Sequence, residues 1–217
     1  LSQIQPIGTT DVRTAIARAA QATGVDFDYL LAQAKLESSL DPSAQAGTSS
    51  AAGLYQFTGG TWLSTLEKHG AEHGLSWASN LRDPAVRAQA MALRFDPAVS
   101  ALMAGELAND NKAALTGALG RAPDSAELYL AHFLGSDGAA RFLAALSANP
   151  GQSAAALLPA AARANRTIFY EQGGAARSVG GVMELLRGKV TGAMEGDISP
   201  APSREGLGWG LSLNSNV

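Results

Sequence analysis

Ala34-Lys35-Leu36-Glu37-Ser38-Ser39-Leu40-Asp41-Pro42 ends an apolar helical run on a single carboxylate, and Ala52-Gly53-Leu54-Tyr55-Gln56-Phe57 follows it. Upstream, Phe27, Leu30, Leu31 and Ala34 recur at helical spacing and mark one core-facing stripe. At about 100° per residue, Glu37 falls within about 70° of the centre of that stripe. Leu36 points roughly the opposite way, so this helix is expected to be covered on both sides. Pro42 then stops the helix. Glu37 is therefore a carboxyl at the edge of an apolar wall, where desolvation raises a pKa and prepares an acid to give up its proton near neutrality. The bland reading, a solvated charge near a helix end, stays open at this point. Against it, a negative charge in the last turn opposes the helix dipole.

The texture around this stretch is helical throughout. Alanine and leucine dominate, and the alternation that marks strands is nearly absent. Asp83-Pro84 and Asp96-Pro97 each place a capping Asp before a proline suited to the first helical position. Asp124 and Glu127 read as a capping box, and Gly24, Gly70, Gly120 and Gly135 sit where helices should stop. Helices are expected near 10–23, 26–39, 60–69, 84–94, 97–119, 125–134, 138–147, 153–164 and 176–190, with loops at 41–58 and 71–82. The fold class is all-α. Residues 1–10 read as an N-terminal extension, 11–191 as one domain and 192–217 as a flexible tail without amphipathic period, in which Trp209 could dock a partner.

The chain has 217 residues, enough for a domain that buries roughly 70% of its unfolded surface without a disulfide or metal. Its 16 basic and 19 acidic residues leave a net charge of −3, and the basic residues are scattered singly, which argues against a nucleic-acid partner. There is no cysteine, which suits an oxidising exterior without demanding it. No apolar run approaches the about 20 residues of a membrane span. The start, Leu1-Ser2-Gln3, has no signal-peptide pattern, and an export signal could have been removed.

Glu37-Ser38 with Asp41-Pro42, then Gly53-Leu54-Tyr55-Gln56-Phe57, resembles the Glu-Ser and Gly-Leu-Met-Gln motifs of soluble lytic transglycosylases and goose-type lysozymes. The resemblance spans roughly residues 12–188 and implies a lysozyme-like fold acting on peptidoglycan. It places the sole catalytic acid/base on Glu37 and gives Ser38 a role in positioning substrate or acid. Gly53, Leu54, Tyr55, Gln56 and Phe57 inherit the lining of the sugar cleft. Tyr55 stands where Met is usual, and its ring could stack on a sugar face. The family's Ala-Tyr-Asn-Ala-Gly corresponds to Ala131-His132-Phe133-Leu134-Gly135, with His132 and Phe133 in place of Tyr and Asn. The family also sets a late tyrosine hydroxyl on the acid; Tyr170 is the expected residue, and Tyr129 the fallback.

Ordinary glycosidases need two carboxylates. Glu67, Glu72, Asp83, Asp96, Glu106, Asp110, Asp124 and Glu127 have bland explanations as caps or solvated faces. The resemblance removes the need for a second acid: the substrate's own C6 hydroxyl attacks and closes a 1,6-anhydro ring. The expected activity is cleavage of the MurNAc-(β1,4)-GlcNAc bond with anhydro ends and no cofactor. A hydrolytic muramidase or a non-catalytic glycan-binding or assembly module on the same fold are the alternatives. His69-Gly70-Ala71-Glu72-His73 spells the short signature of inverted zinc peptidases. Gly70 and Gly74 are expected to end the helix and break the histidine spacing, so no metal is assigned. The implied substrate is the peptidoglycan strand, the compartment is periplasmic or otherwise outside the cytoplasm, and the tail would suit a secretion or flagellar assembly partner.

Overall fold

The computed structural model describes residues 9–47 and 49–196, and it is all-α. Among the described residues, ten α-helices run in the order α1 (Thr9–Thr23), α2 (Phe27–Ser38), α3 (Gly59–His69), α4 (Pro84–Ala92), α5 (Pro97–Leu119), α6 (Ser125–Ala148), α7 (Ala154–Leu157), α8 (Pro159–Ala164), α9 (Arg166–Phe169) and α10 (Val179–Glu195). Three 3-10 turns, at Gly70–His73, Ser76–Ser79 and Leu93–Phe95, join the middle helices. None of the described helices is long and apolar enough to cross a membrane.

The starts lie where the caps lead. Asp83 Oδ1 accepts from the Ala85 and Val86 amides, and Asp96 Oδ1 from those of Ala98 and Val99. Asp124 and Glu127 form the reciprocal capping box. Three connections differ from expectation. The helices expected at 125–134 and 138–147 are one element kinked at Gly135, whose φ of 73° and ψ of 160° only glycine adopts at ease. The helix expected over 153–164 breaks at Leu158, because Pro159 begins a new one. Gly70 keeps a right-handed helical φ of −57°, so the chain tightens into a 3-10 turn there, and the left-handed stop falls on Gly74.

The last helix continues to Glu195, so residues 192–195, expected as the start of the tail, are helical. Residues 197–217 lie outside the described residues, and with them Trp209 and the docking role expected for the tail.

Core packing explains how distant segments meet. α5 lies against α1, α3 and α6, while α10 packs on both α2 and α6. Two contacts fix α10 in that place. Lys35 Nζ, in the last turn of α2, donates to the Ala193 carbonyl at 2.8 Å, setting a cation on the carbonyl end of α10. Arg187 donates to Asp124 Oδ2 at 2.7 Å, at the start of α6. α10 thus clasps the acid-bearing helix and the helix of the third motif together.

Candidate active site

Glu37 occupies the last turn of α2, and its side chain is 1% exposed. The apolar wall read from the sequence is real: Leu30 and Ala34 are fully buried, Leu31 nearly so. Beyond Ser38 the helix ends through Ser39 and Leu40, both with left-handed φ, 55° and 66°. Neither is glycine, and such residues cost of order 1–3 kcal/mol each, a strain often found where function fixes the backbone. Gln56, at φ 47°, is a third residue of this kind on the facing loop.

Across from α2, the first turns of α6 bring up Tyr129 and His132, one turn apart and therefore on one face. Tyr129 donates from its hydroxyl to Glu37 Oε1 at 2.9 Å. His132 Nε2 stands 3.5 Å from the same oxygen. Glu37 Oε2 is buried and has no hydrogen-bond partner among the described residues. Burial, then the charge of Glu37 and the hydrogen bond to it, push the Tyr129 phenol well above its ordinary range. Burial and then Glu37 raise Tyr29 in the same direction. Both phenols therefore stay protonated, and Tyr129 remains a donor at any working pH.

Tyr170, the expected partner of the acid, lies elsewhere. It follows α9, pairs with Ala176 as an isolated bridge, and has the Arg166 guanidinium 4.7 Å from its ring centre. The hydroxyl on Glu37 belongs to Tyr129 instead. Sequence distance misleads here, since the kinked α6 reaches the acid long before the chain returns in α9.

The Gly53–Phe57 segment also differs from expectation. Leu54, Tyr55 and Phe57 are buried in the core, at 2% exposure or less, so the Tyr55 ring offers no face to a sugar. Phe57 packs edge-on against Trp62 at 5.2 Å. Phe133, expected to touch substrate, is likewise buried and stacked on Phe169 at 6.3 Å. The reason is common to all: large aliphatic and aromatic side chains at these positions lose too much by facing water.

What the segment does is hold shape. Ser38 Oγ donates to the Leu54 carbonyl at 2.8 Å, tying the acid helix to the loop. Gln56 Nε2 donates to the carbonyls of Gly53 and Ala44, at 2.9 and 3.2 Å. Gly53 has φ +80°, and a Cβ there would lie 2.0 Å from the Arg94 carbonyl oxygen. Arg94 itself is buried and donates through Nη1 to the carbonyls of Ser50 and Phe57, at 2.7 and 3.2 Å. Arg94 was not legible from the sequence, because nothing local sets it apart from a solvated arginine. The Tyr29, Gln33, Glu37 row could have been found: its four-residue spacing lines one side of α2 with buried polar groups.

Residues 14–114 match the transglycosylase SLT domain. That stretch of the chain is similar to the SLT family. The matched segment contains Glu37 and the Gly53–Phe57 loop and ends within α5, before Tyr129 and His132. SLT domains act on peptidoglycan, with activity of the lytic-transglycosylase type, and the lysozyme-like all-α architecture accords with the family. That substrate lies outside the cytoplasm.

A second group of titratable side chains lies on another part of the SLT fold. α3 ends at His69, so His69 and His73 do not share one helical face as a peptidase signature requires. They turn instead toward acids of α5: His73 Nε2 to Glu106 Oε1 at 2.8 Å, and His69 Nε2 to Asp110 Oδ2 at 2.9 Å.

Proposed function

We propose that this protein is a peptidoglycan lytic transglycosylase in which Glu37 acts alone as acid and base. The observation that carries the reading is a buried carboxylate held through one oxygen only, on the residue that the SLT match includes. Tyr129 occupies Oε1, which leaves Oε2 to carry the transferable proton. Oε2 protonates the glycosidic oxygen as the bond between MurNAc C1 and that oxygen breaks. The resulting carboxylate then takes the proton of the MurNAc C6 hydroxyl, whose oxygen bonds to C1 and closes the 1,6-anhydro ring. Glu37 ends the cycle protonated, as it began. Intramolecular attack of this kind gains roughly 7–11 kcal/mol when well oriented.

A lone acid suits the rest of the chain. Asp83, Asp96 and Asp124 cap helices, Glu127 binds Arg121, and Glu106 and Asp110 face histidines. Ser38, Gly53 and Gln56 serve by holding the loop against the acid helix, and His132 by lying beside the carboxylate. The catalytic domain runs from α1 through α10, and it works in the periplasm or elsewhere outside the cytoplasm.

The test is incubation with purified sacculi and mass spectrometry of the released muropeptides. Anhydro-ended products that disappear with Glu37→Gln are expected. Reducing ends would make the protein a muramidase, and no release at all would make it a glycan-binding module. Full lytic activity in Glu37→Gln would remove the acid from this residue.

A further inference from the structure

His69 is the last residue of α3 and is 9% exposed. Its Nε2 lies 2.9 Å from Asp110 Oδ2. Lys68 Nζ donates to the other oxygen of the same carboxylate at 2.7 Å, so Asp110 is faced by nitrogen on both oxygens. With Nε2 turned to a carboxylate oxygen, Nδ1 is the ring nitrogen left to take a metal ion. That Nδ1 is buried and has no hydrogen-bond partner among the described residues. It points among carboxylate oxygens, 3.6 Å from Glu106 Oε2 and 3.9 Å from Glu72 Oε2. Three such groups converging on one point call for positive charge there, either a proton on Nδ1 or a metal ion.

We infer that His69, Glu72 and Glu106 bind one divalent transition-metal ion of the zinc class, which staples the end of α3 to α5. The three ligand atoms lie within 4.8 Å of one another. Zinc bonds of about 2.0–2.2 Å to nitrogen and oxygen place ligands about 3.4 Å apart in a tetrahedron, so the groups close by up to about 1.4 Å, a shift the exposed Glu72 side chain can supply. Supporting contacts are already present. Asp110 fixes the His69 tautomer from the far side of the ring, and His73 Nε2 holds Glu106 Oε1 at 2.8 Å, leaving Oε2 for the ion. One imidazole with two carboxylates suits Zn2+ better than Mg2+ or Ca2+, which prefer oxygen alone. None of these residues touches Glu37 or its partners, so the site is structural and stands whether or not the proposed reaction is right. The sequence motif pointed at His69, Glu72 and His73; folding replaces His73 with Glu106 as ligand and moves His73 behind it.

Isothermal titration of chelator-treated, tag-free protein with ZnCl2 in a non-coordinating buffer tests this, alongside thermal melts with and without the ion. Expected are saturable 1:1 binding, a higher Tm with zinc, and no displacement by millimolar Mg2+ or Ca2+. Nitrogen-detected NMR of the histidines should show metal on His69 Nδ1. Glu106→Gln should abolish binding, and Glu72→Gln should weaken it about tenfold or more. The Glu72 side chain is 68% exposed, so that variant keeps its apo melt and carries the test if Glu106→Gln does not fold. Asp137→Asn, an exposed acid elsewhere, should bind as wild type. Absent or non-saturable binding, equal binding in Glu72→Gln, easy displacement by Ca2+, or a protonated rather than metallated Nδ1 would each overturn the inference.

Discussion

Tyr129 donates to Glu37 Oε1 across 2.9 Å, joining two helices through residues 92 positions apart in the chain. Because burial pushes the phenol well above its ordinary range, this bond persists whether the acid holds its proton or has given it up. Hydrogen bonds to charged groups contribute about 1.5–3 kcal/mol. Tyr129→Phe should therefore lower kcat roughly tenfold to a hundredfold on sacculi, with KM little changed and the fold intact by circular dichroism. Unaltered kcat would separate Tyr129 from the reaction.

His132 shares that oxygen at 3.5 Å, and its Nε2 has no hydrogen-bond partner among the described residues. His132→Leu keeps the volume and removes the polar edge. Turnover of the variant should fall about tenfold, equivalent to about 1.4 kcal/mol of transition-state stabilisation. Stability in urea should not fall, since a buried polar atom without a partner is being replaced by an apolar one. A large loss of stability with normal turnover would make His132 a packing residue only.

Gly53 is constrained twice, by its φ of +80° and by the Arg94 carbonyl oxygen 2.0 Å from where a Cβ would stand. Gly53→Ala must move backbone against backbone, and a loss of about 3 kcal/mol or more is expected by denaturant melts. Arg94→Met tests the other half of the same contact. It strips a donor from the Ser50 and Phe57 carbonyls, and each acceptor left unsatisfied costs about 1–3 kcal/mol. If both variants melt like wild type, the loop is not held by this pair.

Glu127 gives stability a defined acid limb. The hydrogen bonds from Arg121, against the opposing effect of burial, hold its carboxyl below its ordinary value. Since the folded value lies below the unfolded one of about 4.3, this contribution is complete above about pH 4.3 and is lost as pH falls through the lower folded value. Glu127→Gln can still accept from the Asp124 amide but cannot be protonated. Urea midpoints between pH 6 and 3 should fall less steeply in the variant than in wild type. Parallel curves would show that the acid limb arises elsewhere.

Helix positions and caps were legible because their causes are local: Asp-Pro pairs, the Asp124–Glu127 box and the apolar stripe of α2 each act within a turn or two. Glu37 was legible for the same reason, sitting where an apolar face meets a stop. Its partner was not. Tyr129 and Tyr170 are equally good phenols on paper, and only the way α10 gathers α2 and α6 decides between them. The Gly53–Phe57 loop misled in a different way. Its residue types announced a site, yet their bulk put them beneath it, where they shape backbone instead of meeting sugar.

The Lys35 contact with the Ala193 carbonyl spans 158 positions, so the acid-bearing helix is secured by nearly the last turn described. During synthesis α2 leaves the ribosome well before α6, and α10 comes later still. No nascent fragment shorter than Tyr129 can supply the acid with its hydrogen-bond donor, and none shorter than Ala193 can lock the helix that carries it. Synthesis through α10 is thus itself a step in arming Glu37.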